Sequence, residues 1–365
     1  MARVLVPHDS PSTFNGPRAP QRHTLTRGRF LPAQRAVQSL EALALPKSRA
    51  YDVLHTVNRI PLTRRPWLTT FESSFPRTFG PGSERVRRLL RERVRRDNCV
   101  AVVAMSEYAR RRFLRDNAGW GGLGDTLAKM QVIHPNLPLR RQEPKRLSGE
   151  GLHLLFVGRD WARKGGVPAL RLAREARRRG LPIRLTVVSS LDQASYAEHP
   201  DASRYAADRA LLALPNVTHH ARLSNAEVLR LMAEADFSLL PTTHDTYGFS
   251  VLEGMASGTP AVVVGAAALA EVVQDGVNGY ALTVERNDLG EYAHMHSSDW
   301  ARWDAFYDDL AAQMLTRFEA LLARPEEYEH LSAGALRRVS EHHEAEQVGA
   351  RIEALYDRAA PSSHL

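Results

Sequence analysis

The chain has 365 residues, 43% hydrophobic and 25% charged, a composition that suits a globular protein of two domains at roughly 150 residues each. No stretch approaches the roughly 18 to 20 uninterrupted apolar residues that span a bilayer, and the N-terminus MARVLVPHDS lacks the apolar segment of a secretory leader, so a cytoplasmic location is expected. The net charge of +8 is unevenly shared: residues 1–150 hold 28 Lys+Arg against 12 Asp+Glu, whereas residues 151–365 hold 21 against 29, and a basic half implies an anionic partner such as a lipid surface, a nucleic acid or a phosphorylated substrate.

In chain order, the first half alternates strands with helices. Strands are expected over residues 3–7, 52–56 and 67–71, with a helix over 32–45 between the first two. A basic helix over 83–98 follows. Its apolar stripe of Val86, Leu89, Leu90 and Val94 could pack on the sheet, and its arginines could adhere to anionic lipid. The run CVAVVAM makes a buried strand over 100–105. Its Cys99 is the single cysteine, which excludes an intramolecular disulfide or a cysteine-based zinc site. A helix from Ser106 and a strand over 129–134 complete this half, and the Pro- and Arg-rich PNLPLRRQEPKRLSGEG, residues 135–151, reads as a linker.

The second half repeats the alternation more regularly. Strands are expected at 152–157, 183–189, 217–220, 236–241 and 261–264, and helices at 167–179, 205–212, 225–234 and 249–257. Short apolar strands that each feed a helix require a parallel, doubly wound sheet. Ligands of such sheets sit beyond the carboxyl ends of the strands, which places residues 158–166 and 241–248 on one rim. The sequence contains no repeat of fixed period and no low-complexity tract.

On that rim stands VGRDWARKGG. Arg159 and Lys164 lie five apart in a loop entering a helix, where both could reach one diphosphate or could simply be solvated charges. The second rim loop belongs to PTTHDTYGFSVLEGMASGTPAV. Asp245 and Gly248 precede a helix whose first amides, on Phe249, Ser250 and Val251, form an anion site. Glu253, one turn into that helix, suits the paired hydroxyls of a ribose, and Asp245 could reach the far side of the same phosphates. A helix dipole alone would also favour acids there. No convincing aspartate cluster for a metal is evident, and the histidines, His219–His220 and His342–His343 included, read as surface residues.

The stretch GFSVLEGMASGTPAVV, preceded by Asp245, resembles the signature of the family-4 (group 1) retaining glycosyltransferases of the GT-B fold, in which two acids are separated by seven residues. Asp245 replaces the usual first Glu, and Glu253 is the second. VGRDWARKGG resembles the family's phosphate loop, and ADFSLLP and LAEVVQDGVNGYAL extend the likeness through about residues 152–284. The first half is less similar. YDVLHTVNRIP, VAVVAMSEYARRRF and MQVIHPN match, whereas the glycine-rich turn is reduced to Phe14-Asn15-Gly16-Pro17, and LTTFESSF has Phe71 and Glu72 where a histidine is usual.

The resemblance implies an α/β chain of two Rossmann-like, doubly wound domains facing a central cleft. An acceptor-side domain over 1–147 would be braced by a C-terminal helix over 333–359, and a donor domain would span 148–332. It implies that Arg159 and Lys164 hold the donor diphosphate, that Glu253 holds the ribose, that Asp245 contacts the transferred sugar, and that the amides after Gly248 hold the distal phosphate. Transfer would retain configuration without a metal or cofactor, the nucleoside-diphosphate-sugar being a co-substrate. Asn15, Gly16 and Glu72 would lie on the acceptor side, Glu72 serving either the acceptor or the structure. A peripheral position on an anionic membrane through helix 83–98 fits this scheme. Rival expectations are a nucleotide-sugar epimerase or phosphorylase on the same fold, or a non-catalytic binder of anionic surfaces or nucleic acid. Nucleic acid is disfavoured because no aromatics interleave with the basic runs.

Overall fold

The computed structural model describes residues 1–7, 22–32, 38–194 and 196–360. The chain divides into two compact units, Met1–Pro138 with His342–Leu365, and Leu139–Glu341.

In the first unit, β1 (Arg3–Pro7), β2 (Thr24–Gly28), β3 (Leu43–Ala44), β4 (Val53–Val57), β5 (Ile60–Pro61) and β6 (Trp67–Phe71) precede helix α1 (Ser83–Val94). Strand β7 (Cys99–Ala104), helices α2 (Glu107–Asp116) and α3 (Leu123–Leu127), and β8 (Met130–Val132) follow. Six of these strands form a sheet in the order β2-β1-β4-β6-β7-β8, with every pairing parallel. Alternate strand residues enter two separate cores. Leu5, Leu54, Phe71 and Val102 join one, while Val4, Val6, Val53, Leu68 and Val103 join the other. A sheet buried on both faces needs apolar residues at both parities, and these strands have them.

The second core is closed by the C-terminal segment of the chain. Val348, Ile352, Leu355, Tyr356 and Ala359 recur at helical spacing and pack on that face. The Tyr356 hydroxyl lies 2.8 Å from Nδ1 of the buried His55, whose Nε2 is 2.8 Å from Thr70 Oγ1. Burial pushes the imidazole down to about 3, so it is neutral.

The second unit contains β9 (Leu152–Val157), α4 (Gly166–Arg178), β10 (Ile183–Val188), α5 (Ala206–Ala210), β11 (Val217–His220), α6 (Asn225–Glu234) and β12 (Phe237–Leu240). It continues with α7 (Phe249–Met255), β13 (Ala261–Val264), α8 (Leu269–Val272), β14 (Gly279–Leu282), α9 (Trp300–Ala323) and α10 (Glu327–His342), whose last residue belongs to the first unit. Helix α11 (Ala345–Ala359) returns to the first unit. The sheet order is β11-β10-β9-β12-β13-β14, again all parallel. The chain therefore winds outward from β9 in one direction and then, from β12, in the other. That reversal opens a topological switch point at the carboxyl ends of β9 and β12.

Several expectations need correction. Residues 38–42 form a short 3-10 turn, followed by β3, where a helix over 32–45 was expected; residues 33–37 lie outside the described residues. The basic helix ends at Val94, and Leu89 is 74% exposed, so only Val86, Leu90 and Val94 of the expected stripe face inward. The single C-terminal helix expected over 333–359 is two helices broken at His343–Glu344, and the crossing back begins at His342. His343 is fully buried, its Nδ1 2.9 Å from the Pro135 carbonyl, and is no surface residue. No described helix is long and apolar enough to cross a membrane.

Candidate active site

The loops that follow β9 and β12 meet at the switch point of the second sheet. Gly165 shows how closely. Its φ is +93°, and a Cβ there would stand 2.3 Å from the Pro241 carbonyl oxygen, so only glycine lets the two backbones approach. Thr242 and Thr243 add hydroxyl bonds to the Arg163 carbonyl, at 2.7 and 3.2 Å.

This contact brings Lys164 and Asp245 together. Lys164 Nζ lies 2.5 Å from Asp245 Oδ2, and the other carboxylate oxygen accepts the N–H groups of Tyr247 (3.1 Å) and Gly248 (2.9 Å). Asp245 is 8% exposed. Burial would raise its carboxyl, yet the Lys164 ammonium and the two amides outweigh that penalty and hold it below the usual carboxylate range. Removing either partner of so buried a pair strands a charge, which costs about 3–5 kcal/mol.

Gly248, at φ +88°, caps the start of α7, where a side chain would strike Leu269 at 2.4 Å. Phe249 and Ser250 begin the helix half-buried. The expectation that the Val251 amide is free to bind an anion is overturned, because that N–H donates to the Gly248 carbonyl at 3.0 Å. Glu253 is half-buried on the same helix.

Arg159 behaves differently from Lys164. Its side chain is 76% exposed, with Nε 3.3 Å from Asp160 and 3.7 Å from Asp192. The buried cation of the loop is Arg163, which no spacing or motif singled out in advance. Its Nη2 lies 2.6 Å from Asp160, and its Nη1 donates to the His244 carbonyl at 3.0 Å. Burial would lower this guanidinium, but Asp160 more than compensates and its affinity for the proton is raised. Glu198, from the loop after β10, accepts the N–H of Arg163 at 2.9 Å and that of Ala194 at 2.7 Å. The one advance signal for Arg163 was its place beside Lys164. Glu198 had none.

In the first unit, Glu72 follows the carboxyl end of β6, paired with Arg77 Nη1 at 2.8 Å and bonded by Asn58 Nδ2 at 3.2 Å. Asn58 and Arg77 were not anticipated. Asn15 and Gly16 lie outside the described residues. An aspartate group does assemble away from the rim, where Asp208, Asp304 and Asp308 surround the buried Arg171 at 2.7–2.9 Å. That guanidinium offsets one of the three carboxylate charges and bridges them.

Comparisons with known proteins bear on the family and the fold of this unit. A family described as "Glycosyl transferases group 1" matches residues 151–296. Residues 151–296, within the second unit, thus match a group 1 glycosyltransferase domain. The D-inositol 3-phosphate glycosyltransferase of Paenarthrobacter aurescens is 27% identical over 199 residues, 51% of this chain and 45% of that protein. A GDP-mannose-dependent alpha-(1-6)-phosphatidylinositol dimannoside mannosyltransferase of Mycobacterium tuberculosis is 48% identical over 46 residues, 13% of this chain and 12% of that one. The match thus spans less than half the length of these curated relatives. Anabaena Alr3699/HepE, solved in complex with UDP-glucose, superposes with a TM-score of 0.62 at 13% identity, covering 98% of this chain and all of that one. That likeness establishes the GT-B fold. Within residues 151–296, the loops after β9 and β12 together with helix α7 carry the residues singled out for the donor.

Burial pushes the Glu198 carboxyl up to about 7, against the two N–H bonds and the Arg163 charge that favour its ionised form. The folded state then binds more protons than the unfolded one between the ordinary value of 4.5 and about 7, so stability falls as pH rises through that window. Urea unfolding of the parent from about pH 5 to about pH 8 should show a loss of stability that the Glu198→Gln profile lacks, whatever the offset between the two. Parallel profiles would contradict the assignment.

Proposed function

We propose that this chain is a retaining glycosyltransferase that moves a sugar from a nucleoside-diphosphate-sugar to an acceptor hydroxyl. The observation that carries the proposal is the Lys164–Asp245 pair, 2.5 Å apart on adjoining loops at the switch point, beside the helix that bears Glu253. The donor diphosphate draws the Lys164 ammonium away from Asp245, because two phosphate charges outcompete one carboxylate. Asp245 Oδ2 is thereby released to accept from a hydroxyl of the transferred sugar. Arg159, already largely in solvent, turns from Asp160 and Asp192 toward the same phosphates. Glu253 takes the ribose, and the amides of Phe249 and Ser250 add donors to the distal phosphate.

In the chemical step the C1–O bond to the β-phosphate breaks while an acceptor oxygen bonds to C1 on the same face, and the acceptor's proton passes to the departing phosphate oxygen. Negative charge grows on the diphosphate, and Lys164, Arg159 and the α7 amides are placed to stabilise it. The scheme uses neither a metal nor a cofactor. Glu72, held by Arg77 and Asn58, is the acceptor-side candidate of the first unit. The names of the relatives and the UDP-glucose complex of a protein with the same fold support a nucleotide-sugar donor.

The proposal also gives the protein a cytoplasmic site of action at an anionic membrane face. Helix α1 presents Arg85 and Arg88 to solvent beside the exposed Leu89, the pairing of cations with an apolar anchor that interfacial helices use. Sedimentation with vesicles of phosphatidylglycerol and phosphatidylcholine should show binding that Arg85→Glu with Arg88→Glu abolishes. Equal binding by the variant would remove α1 from the interface.

Lys164→Ala should weaken UDP or GDP binding by about tenfold or more, and UMP or GMP binding by much less, since the ammonium serves the second phosphate. Calorimetric titration reads both. An equal effect on mono- and diphosphates, or none, would place the diphosphate elsewhere. Sugar isomerisation without any acceptor would instead identify an epimerase, and phosphorolysis of a glycoside would identify a phosphorylase.

A further inference from the structure

We infer that Arg163 is a positioning residue that sets the reach of Asp245 toward the donor sugar, by tying together the three rim loops that follow β9, β10 and β12. The inference rests on the donor site proposed above and gives it a residue to which the family likeness assigned no role. Arg163 precedes Lys164 in the chain, and its guanidinium holds the carbonyl of His244, the residue before Asp245, at 3.0 Å. One buried side chain therefore fixes the backbone beside both members of the ion pair. Its own backbone is fastened at each end. The N–H is held by Glu198 at 2.9 Å, and the carbonyl accepts from the Thr243 N–H at 3.1 Å and from the Thr242 and Thr243 hydroxyls.

The remaining contacts explain why the guanidinium stays in place. Asp160 anchors Nη2 at 2.6 Å. The Tyr196 ring lies over the cation, 5.1 Å from the guanidinium carbon, and meets the His244 ring edge-on at 5.7 Å. Tyr196 is 44% exposed, so the ring closes the outer side of a cation that is otherwise enclosed. A guanidinium satisfies Asp160 and the His244 carbonyl together through its planar fork, whereas an ammonium is a single point charge. Asp245 is one methylene shorter than a glutamate and has less freedom to recover a lost position. A shift of about 1 Å in a reacting or orienting group is enough to cost about a hundredfold in rate.

The test measures the sugar's contribution to binding. UDP, GDP, UDP-glucose and GDP-mannose are titrated into the full chain and into Arg163→Lys and Arg163→Met, with thermal unfolding of each variant. The sugar that the parent prefers over the bare diphosphate supplies the reference. Arg163→Lys, which keeps the positive charge, is expected to hold the diphosphate within about threefold of the parent and to lose roughly tenfold for the intact nucleotide sugar. Arg163→Met should show the same loss with reduced stability. Equal losses for diphosphate and nucleotide sugar would reduce Arg163 to a structural role and overturn the inference, as would parental behaviour of Arg163→Lys. If the parent binds the diphosphates without any preference for a nucleotide sugar, the inference fails while the diphosphate site stands. If the parent binds none of the four, the donor site itself is wrong and the inference falls with it.

Discussion

The donor site proposed for this protein depends on the near contact between the backbone at Gly165 and the Pro241 carbonyl. A parallel sheet that winds outward in both directions leaves its two central strands, β9 and β12, with loops that have no crossover between them. Those loops can then converge, but they do so only where side chains permit. The glycine at 165 removes the obstacle, and Thr242 and Thr243 supply the bonds. The consequence is an ammonium and a carboxylate held 2.5 Å apart although 81 residues separate them in the chain. Such a pair is an unfavourable way to stabilise a fold, because desolvation consumes most of the attraction. Its value is chemical, as a cation already placed where an anionic ligand can take it over.

The charge distribution is consistent with that division of labour. The acidic excess of the second half does not gather at the rim as free carboxylates. Part of it surrounds arginines instead, Asp208, Asp304 and Asp308 around Arg171 and Asp160 beside Arg163. The first half retains exposed arginines on α1; on that helix Arg87 pairs with Glu84, and just beyond it Arg95 pairs with Glu92 and Asp125. The Arg159 side chain at the rim and the exposed Arg85 and Arg88 on α1 are turned to solvent, and these are the two places where anionic partners are proposed.

Much of the second unit was legible in the sequence because its strands are short, largely apolar and bounded by turn residues. LHLLFV became β9 and NAEVLRLMAE became α6, at the expected limits. The first unit was harder. Strand β2, with sequence TLTRG, lies at a sheet edge and is mostly exposed, so it carries no apolar pattern to read. Leu89 misled because a leucine at helical spacing implies burial, and here the helix turns it outward. The donor loops were legible as motifs, and their amides were not: Val251 donates to Gly248 because the first turn of α7 tightens. Arg163 and Glu198 were invisible, since their roles come from partners 35 and 81 residues away.

The central claim is that the rim between β9 and β12 binds a nucleotide sugar through Lys164 and Glu253. A crystal structure of the chain with UDP-glucose or GDP-mannose tests it most directly. Binding of the proposed kind requires the distal phosphate within about 3 Å of Lys164 Nζ and the ribose hydroxyls at the same distance from the Glu253 carboxylate. A nucleotide seated away from these two residues, with the Lys164–Asp245 pair intact beside it, would contradict it.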